Sequence, residues 1–284
     1  MNLIEEAAKR LRKLEQAGID VPKPPKSAAV VRQQKPDQPS PALALRTIDF
    51  GRLEAAGFVT PAVQDSKLLH EFRVIKRPLI QNALGKSGSP VRQGNLIMVT
   101  SALPGEGKTF TALNLAMSLA MEVDCRVLLV DADVVSPSIP AVLGIEPAKG
   151  LMDVLTTPGI AFDDVLLRTN VERLTLLLAG TPHPGASELL ASDGMTGLLA
   201  EVSSRYPDRI VVFDSPPLLA TTESRVLATH MGQIVVVVEA ERTTHAALES
   251  ALSTVEACPV VLTVLNKAPE SDVGSYYGTY AYGR

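Results

Sequence analysis

One short segment combines residues that could bind phosphate. Residues 102–109 have the P-loop spacing GxxxxGK[ST], with Ala102 in place of the first glycine. Glycines let backbone N–H groups wrap phosphate oxygens, the lysine reaches the β- and γ-phosphates, and the threonine hydroxyl binds Mg²⁺. A glycine-rich turn that only caps a helix is the alternative, which the GK[ST] tripeptide disfavours. The predicted ATP-binding residues here are Pro104, Gly105, Glu106, Gly107, Lys108, Thr109 and Phe110.

Three carboxylates follow two apolar runs further along the chain. Asp131 and Asp133 end the first run and Asp214 ends the second. Side chains two residues apart on a strand share a face, so the first two carboxylates point the same way. Helix capping is the alternative for a lone aspartate, but three carboxylates beside a P-loop predict a metal–nucleotide site. The predicted ligands of Mg²⁺ are Thr109, Asp131 and Asp214.

A single amide ends the last apolar run. Asn266 could bind the edge of an adenine ring through its side chain, as amides do in base recognition. It could equally cap a turn. Both interpretations stay open, and Asn266 completes the candidate ATP site.

Alternating elements are predicted to position these groups. Near-continuous apolar runs predict strands at 96–100, 126–130, 174–178, 210–213, 234–238 and 260–265. Helical patterns occur at about 65–84, 107–121, 187–206, 222–230 and 243–257. Strands that are apolar on both faces belong to parallel sheets covered by helices. The pattern predicts a doubly wound α/β fold with a mostly parallel sheet, which binds ligands at the carboxyl ends of its strands.

Composition excludes several classes of protein. The chain has 284 residues, of which 46% are hydrophobic and 4% aromatic, and a net charge of −4. This apolar fraction excludes a fully disordered chain, and no apolar run has the length of a membrane-spanning helix. Met1–Gly18 is charged throughout and does not resemble a secretory signal. Cys125 and Cys258 have no metal-site spacing, so we expect reduced cysteines in a cytoplasmic protein.

The N-terminal part differs from the rest in composition. Residues 1–20 have the pattern of a short amphipathic helix, and the proline-rich range 21–64 is predicted to be a largely disordered linker. The first 90 residues are net basic, while the remainder is net acidic. The basic residues are spread out, which favours a solvated surface, with peripheral contact to anionic lipids as the alternative. Nucleic-acid binding is not expected, because the chain after residue 90 is net acidic.

The C-terminal residues 269–284 hold most of the tyrosines. Four of the five in the chain are Tyr276, Tyr277, Tyr280 and Tyr282. Small residues separate them, which favours a flexible tail over a packed hairpin. We call residues 269–284 the tyrosine tail.

Taken together, the motifs resemble the bacterial tyrosine kinases, P-loop enzymes related to the MinD/ParA ATPases. The resemblance covers residues 66–284, with the kinase domain at 65–268. The segment EFRVIKRP at 71–78 is most similar to the autokinases of exosortase-associated polysaccharide clusters. The other segments that carry the resemblance are SALPGEGKT at 101–109, VLLVDAD at 127–133, SELLAS at 187–192, VVFDSPPLL at 211–219 and VLNK at 264–267.

The resemblance implies a function for each motif. It implies that ATP and Mg²⁺ support phosphorylation of the four tail tyrosines in trans, within a ring-shaped oligomer that regulates polysaccharide polymerisation and export. Lys108, Asp131 and Asp133 are then the catalytic residues, the two aspartates forming the Walker A′ motif. The implied activator is a membrane chain-length determinant protein (Wzz-like), which would recruit the cytoplasmic kinase to the inner face of the membrane.

Three motifs depart from the patterns of these families. Val135 replaces the arginine of DxDxR, and Leu103 replaces the signature lysine of MinD/ParA proteins. The ring-contact motif ExxRxxR becomes His70, Arg73 and Lys76, with Glu71 one position away. Arg73 is therefore the predicted oligomer contact. Two alternatives to a kinase stay open: a ParA/MinD-like ATPase, and a weakly active nucleotide-binding scaffold.

Overall fold

A computed structural model describes residues 44–63, 65–205 and 209–269. Within these ranges the chain forms an eight-stranded sheet of order β1-β4-β5-β3-β6-β2-β7-β8. Neighbouring strands are parallel except for the antiparallel pair β4 and β5. The strands are β1 Leu45–Arg46, β2 Leu96–Ser101, β3 Arg126–Asp131, β4 Leu167–Thr169, β5 Leu174–Leu177, β6 Arg209–Asp214, β7 Gln233–Glu239 and β8 Val260–Asn266.

Helices cover both faces of this sheet, as predicted for a doubly wound fold. One apolar cluster contains buried residues of α1 to α4, and the other contains buried residues of α5 to α9. The helices are α1 Phe50–Ala55, α2 Lys67–Ala83, α3 Lys108–Ala120, α4 Ile139–Leu143, α5 Leu151–Thr156, α6 Ala186–Leu190, α7 Asp193–Arg205, α8 Thr222–Ala228 and α9 His245–Ser253. A 3₁₀ turn spans Phe162–Val165.

Aliphatic strands explain why so few aromatic residues suffice for the core. All six residues of β2 are buried, because helices pack on both of its faces. Edge strand β8 is only half-buried. Both cysteines are unpaired thiols, as expected, with Cys125 buried and Cys258 half-buried. None of the helices in the described ranges combines the length and apolar character that a membrane crossing requires.

The predicted linker extended too far toward the kinase domain. Residues 44–63, assigned to the linker at 21–64, contain β1 and α1, and Ile48, Leu53 and Val59 are buried. Their backbone is held by distant amide side chains: Asn170 accepts from the N–H of Ile48 at 2.9 Å, and Asn114 from that of Val59 at 2.7 Å. Tertiary contacts order a segment whose composition favours a linker.

The predicted helix at 187–206 is also interrupted. It consists of α6 and α7, with Ser192 between them. The Ser192 hydroxyl accepts from the N–H of Met195 at 3.2 Å, as a residue that precedes a new helix does. The amphipathic helix predicted at 1–20 and the four tail tyrosines lie outside the described residues.

Candidate nucleotide site

The P-loop connects β2 to α3. Gly105 and Gly107 have φ angles of +85° and +98°, in the left-handed region that favours glycine. A Cβ at Gly107 would also lie 2.1 Å from Asn266 Nδ2. Glycine at 107 is therefore required by both backbone conformation and a close neighbour. Phe110, predicted to bind ATP, packs its ring against Phe58, with ring centroids 5.0 Å apart.

Two buried carboxylates face each other at the carboxyl ends of β3 and β6. Asp131 and Asp214 are register partners on these adjacent strands, and both are fully buried. One oxygen of Asp131 accepts from the N–H of Ile139 at 3.2 Å. Among the described residues, the other oxygen of Asp131 and both oxygens of Asp214 have no hydrogen-bond donor. Buried polar atoms usually have a partner, so these three oxygens point to an absent ligand.

Burial changes the protonation of this pair. Desolvation, reinforced by repulsion from Asp214, raises the pKa of Asp131 to about 7. Desolvation also raises the pKa of Asp214 to about 6, against the lowering effect of the Lys108 charge. The Thr109 hydroxyl lies close enough to lower the pKa of Asp214, although it makes no standard hydrogen bond with that carboxylate. A bound cation would favour the charged forms of both carboxyl groups.

The predicted catalytic lysine is held by the third aspartate. Lys108 Nζ donates to Asp133 Oδ2 at 2.7 Å, and both side chains are largely buried. Asp133 also accepts from the backbone N–H of Ser136 at 3.0 Å. The sequence-predicted residues Lys108, Thr109, Asp131, Asp133 and Asp214 therefore converge at one edge of the sheet.

The donor set suits Mg²⁺ in part. Mg²⁺ prefers oxygen ligands and is usually held by one or two carboxylates together with substrate phosphates. Asp131, Asp214 and the Thr109 hydroxyl would hold such an ion. Within the described residues, no group of three or more His, Cys, Asp and Glu side chains is arranged for a metal. Phosphate oxygens would have to supply further ligands.

Sequence reasoning missed a second set of contacts, on the opposite side of the P-loop. Asn266 Nδ2 donates to the Glu106 carbonyl at 2.9 Å, and Lys267 Nζ donates to the Gly105 carbonyl at 2.8 Å. Lys267 also pairs with Glu239 at 3.1 Å. We call Glu106, Glu239, Thr243, Asn266 and Lys267 the P-loop clamp. Asn266 and Lys267 hold carbonyl groups of the loop, so these two contacts occupy none of the N–H groups that phosphate would bind.

The buried Glu106 side chain completes the clamp. It accepts from the N–H of Leu103 at 2.8 Å and from the hydroxyl of Thr243. Thr243 in turn accepts from the N–H of Glu239 at 3.0 Å. Lys267 has a φ of +56°, a conformation that a residue other than glycine adopts at an energetic cost. The VLNK segment was the only sequence feature that could have indicated the clamp.

Asn266 does something that neither sequence interpretation anticipated. Its N–H donates to the P-loop backbone, so at least this part of the amide is engaged within the protein. Its predicted role in ATP binding stays a prediction. Two residues that differ from the motifs of related proteins also differ in exposure. Leu103 is half-buried, whereas Val135 is 60% exposed and contributes no cation to the site.

The residues matched to the ring-contact motif lie on α2 and differ in burial. Lys76, matched to the last position of the ring-contact motif, is buried; its Nζ donates to the Ser118 carbonyl at 2.6 Å and pairs with Glu122 at 2.8 Å. Its charge caps the carboxyl end of α3 and cannot serve a neighbouring subunit. Arg73 is exposed on the same helix, and its oligomer contact stays a prediction.

Comparisons with known proteins agree with this architecture. The family model described as "ParA: NUBPL iron-transfer P-loop NTPase" matches residues 92–163. Fold and site therefore define a P-loop NTPase in which residues 92–163 are similar to ParA proteins.

Individual relatives narrow the class. Tyrosine-protein kinase YwqD of Bacillus subtilis (strain 168) is 32% identical over 66% of this chain and 79% of its own length. Putative tyrosine-protein kinase EpsB of Ralstonia nicotianae is 31% identical over 78% of this chain, which spans only 29% of that protein. The VpsO kinase domain is 30% identical, with a TM-score of 0.56 over 70% of this chain and 96% of that domain. The chain belongs to the bacterial tyrosine kinase family, whereas the exosortase-associated subgroup stays a prediction.

Proposed function

We propose that this chain transfers the γ-phosphoryl group of ATP to the tail tyrosines of another copy of itself. The observation that carries this proposal is the convergence of Lys108, its partner Asp133 and two carboxylates with unpaired oxygens beside a P-loop. The chain belongs to a family whose named relatives are tyrosine-protein kinases, which supports tyrosine as the phosphate acceptor.

Each residue has a distinct role in the transfer. The P-loop N–H groups bind the phosphates, and Lys108 stabilises negative charge on the transferred group. Mg²⁺, when bound by Thr109, Asp131 and Asp214, neutralises further charge on the phosphates. Asp133 positions Lys108 through the 2.7 Å ion pair.

The chemical step exchanges one phosphorus–oxygen bond for another. The bond between the γ-phosphorus and the bridging oxygen breaks, and a bond to the phenol oxygen forms, so that ADP leaves. A phenol has a pKa of about 10 and is a weak nucleophile at neutral pH. The phenol proton passes to Asp131, the last residue of β3, or to Asp133, two residues further along the chain.

One incubation tests the activity. Purified full-length protein is mixed with ATP and Mg²⁺, and tail phosphotyrosine and free phosphate are both measured, with Lys108→Met as the control. Phosphotyrosine that disappears in the variant supports the kinase. Phosphate release without phosphotyrosine supports a ParA/MinD-like ATPase, and ATP binding without either product supports a scaffold. Adding the membrane activator is a necessary second arm, because a kinase that depends on it would be silent alone.

Transfer in trans requires a separate test. A Lys108→Met chain with an intact tail is mixed with an active chain whose four tail tyrosines are changed to phenylalanine. Phosphotyrosine on the Lys108→Met chain supports transfer between copies, and its absence contradicts it.

We further propose a ring contact through Arg73, regulation of polysaccharide polymerisation and export, and recruitment of the cytoplasmic kinase to the inner membrane face by a chain-length determinant protein. Phosphate adds about −1.5 to −2 charges per site to the net acidic catalytic part, so phosphorylation should loosen the ring, as native mass measurement would show.

A weakly active scaffold is the second candidate function. The observation that favours it is the exposed Val135 at the position of the family's arginine. Val135→Arg discriminates between the two functions. A large gain in phosphotyrosine over a low level in the natural chain would indicate a scaffold whose site is weakened by the valine. A high level in the natural chain with no gain would indicate that Lys108 and Mg²⁺ suffice for the kinase.

A further inference from the structure

An apolar pocket of about 320 Å³ lies next to the nucleotide site. Its lining includes Pro137, Pro140, Ala141, Pro147, Ala148 and Leu178. We call it the proline pocket. All of its lining residues are apolar, so it suits a flat apolar group and is a poor environment for phosphate. Proline rings give it a rigid wall, which lowers the entropic cost of binding.

The proline pocket shares a chain segment with the metal–nucleotide site. Ser138 and Ile139 lie between Pro137 and Pro140. The Ile139 N–H donates to Asp131 at 3.2 Å, and the Ser138 hydroxyl lies 3.2 Å from that of Thr109. Ser136, which directly precedes Pro137, donates its backbone N–H to Asp133. A peptide that brings a side chain to the catalytic aspartates would therefore have its adjacent residues close to the proline pocket.

The tyrosine tail has the composition to fill this pocket. Each tail tyrosine has a second tyrosine within two residues, in the pairs Tyr276–Tyr277 and Tyr280–Tyr282. In residues 270–284 the only other large apolar side chain is Val273. At about 3.3 Å per residue, these fifteen residues reach up to about 50 Å from the end of the described chain.

We propose that the proline pocket binds the ring of the tyrosine next to the acceptor, in the tail of another copy. The proposal rests on the proposed kinase function and adds a rule of substrate choice: the site accepts tyrosines that have an aromatic neighbour. One tyrosine of a pair reacts while the other anchors the peptide. This explains, in physical terms, why acceptors in pairs would be better substrates than isolated ones.

The test uses full-length chains in two roles. The enzyme chain has all four tail tyrosines changed to alanine, so that its own tail cannot compete. The substrate chain carries Lys108→Met, Tyr280→Ala and Tyr282→Ala, which leaves Tyr276 as the acceptor, and either Tyr277→Phe or Tyr277→Ala beside it. We expect the Tyr277→Phe chain to have a kcat/KM for phosphorylation of Tyr276 about tenfold or more above that of the Tyr277→Ala chain, as burial of an aromatic ring implies.

Filling the pocket should abolish that difference. Ala148→Leu in the enzyme chain is expected to bring both substrate chains to the same low kcat/KM, with unchanged ATP affinity. The matched control is Ala161→Leu, in a separate pocket lined by apolar residues such as Ile160 and Phe162 together with Asp163 and Glu201, which should leave the tenfold difference intact. If Ala148→Leu fails to fold, Ala141→Leu fills the same pocket from another side.

Failure of this proposal is distinguishable from failure of the kinase. If the Tyr277→Phe advantage persists in the Ala148→Leu enzyme, the proline pocket is not the binding site, although the kinase stands. If the unmodified protein forms no phosphotyrosine, binding of a labelled peptide of residues 270–284 to the enzyme chain decides. Anisotropy that shows weaker binding to the Ala148→Leu form than to the Ala161→Leu form supports the pocket without the kinase. Equal binding overturns the pocket.

Discussion

The two sides of the P-loop differ in how their polar groups are satisfied. On the β7–β8 side, the P-loop clamp pairs Glu106, Glu239 and Lys267 with neighbours inside the protein. On the β3–β6 side, three oxygens of Asp131 and Asp214 have no donor among the described residues. The first side is complete without a ligand, whereas the second becomes complete only with a cation. We therefore expect a bound cation to gain its binding energy on the β3–β6 side.

This difference separates stability from function. An unpaired buried carboxylate disfavours folding, whereas a ligand that pairs with it stabilises the folded state by mass action. Variants on the β3–β6 side should therefore change folding and catalysis in opposite directions. Variants in the clamp should damage both together.

The largest effect is expected from Asp214→Asn. Phosphotyrosine formation should fall by about 10²–10³-fold, because charge stabilisation at the phosphates is lost. The unfolding midpoint of the ligand-free protein should rise, since the amide keeps the shape and removes the charge. Each kcal/mol gained raises the midpoint by about 2–4 °C in a domain of this size.

Asp153→Asn is the matched control for that experiment. Asp153 is also buried, but its carboxylate accepts from the N–H groups of Gly150 and Thr181 and from the Thr181 hydroxyl. Its replacement should lower the unfolding midpoint. A fall in midpoint for both variants would contradict the contrast between paired and unpaired carboxylates.

Gly107→Ala should distort the P-loop where it contacts Asn266 of the clamp. The φ of +98° and the close approach of Asn266 predict a loss of about 1–3 kcal/mol in the free energy of unfolding, and loss of ATP binding. Adding Asn266→Ala should restore part of the stability, because the steric conflict is removed while the unfavourable φ remains. Denaturant unfolding of both single variants and the double variant measures the coupling; simple additivity would exclude the contact as a cause.

Lys267→Met tests the clamp alone. Loss of a charge-assisted hydrogen bond to the Gly105 carbonyl should weaken ATP binding by about five- to tenfold, as a contribution near 1–1.5 kcal/mol implies. Titration calorimetry measures the Kd. Lys86→Met removes an exposed lysine and should leave the Kd unchanged. Equal effects of the two variants would show that only overall charge matters.

The smallest effect is expected from pH. Asp131 and Asp214 have pKa values of about 7 and about 6, raised from 3.8, so the folded state binds their protons more tightly than the unfolded state. Their contribution to the ligand-free protein therefore becomes less favourable as pH rises from about 4 to about 7. Asp214→Asn should flatten this dependence of the unfolding midpoint between about pH 4 and about pH 7. The stabilisation by Mg²⁺ with ATP should run the opposite way and be largest above pH 7.

Strands, P-loop and carboxylates were predictable because each has a local pattern. Apolar runs such as that of β2 predict buried strands, and the carboxyl ends of parallel strands meet at one edge. This brings Asp131 and Asp214 together without knowledge of the sheet order. The Lys108 and Thr109 positions follow from motif spacing alone.

The clamp and the ordered segment at 44–63 were not predictable, because their contacts span the chain. Lys267 and Gly105 are 162 positions apart, and Asn170 and Ile48 are 122 apart. No periodicity encodes such pairs. The burial of Lys76 was not predicted for a related reason: its partner, the Ser118 carbonyl on α3, is 42 positions away in the chain.

Lys76 has a consequence for how this helix can evolve. It connects α2 to the carboxyl end of α3, whose opposite end begins at the P-loop lysine. A substitution at Lys76 would disturb the helix that presents Lys108, whereas exposed positions such as Arg73 and Val74 are free of that constraint. The exposed surface of α2 can thus change one residue at a time without disturbing the ATP site, as long as the buried lysine keeps its contact with α3.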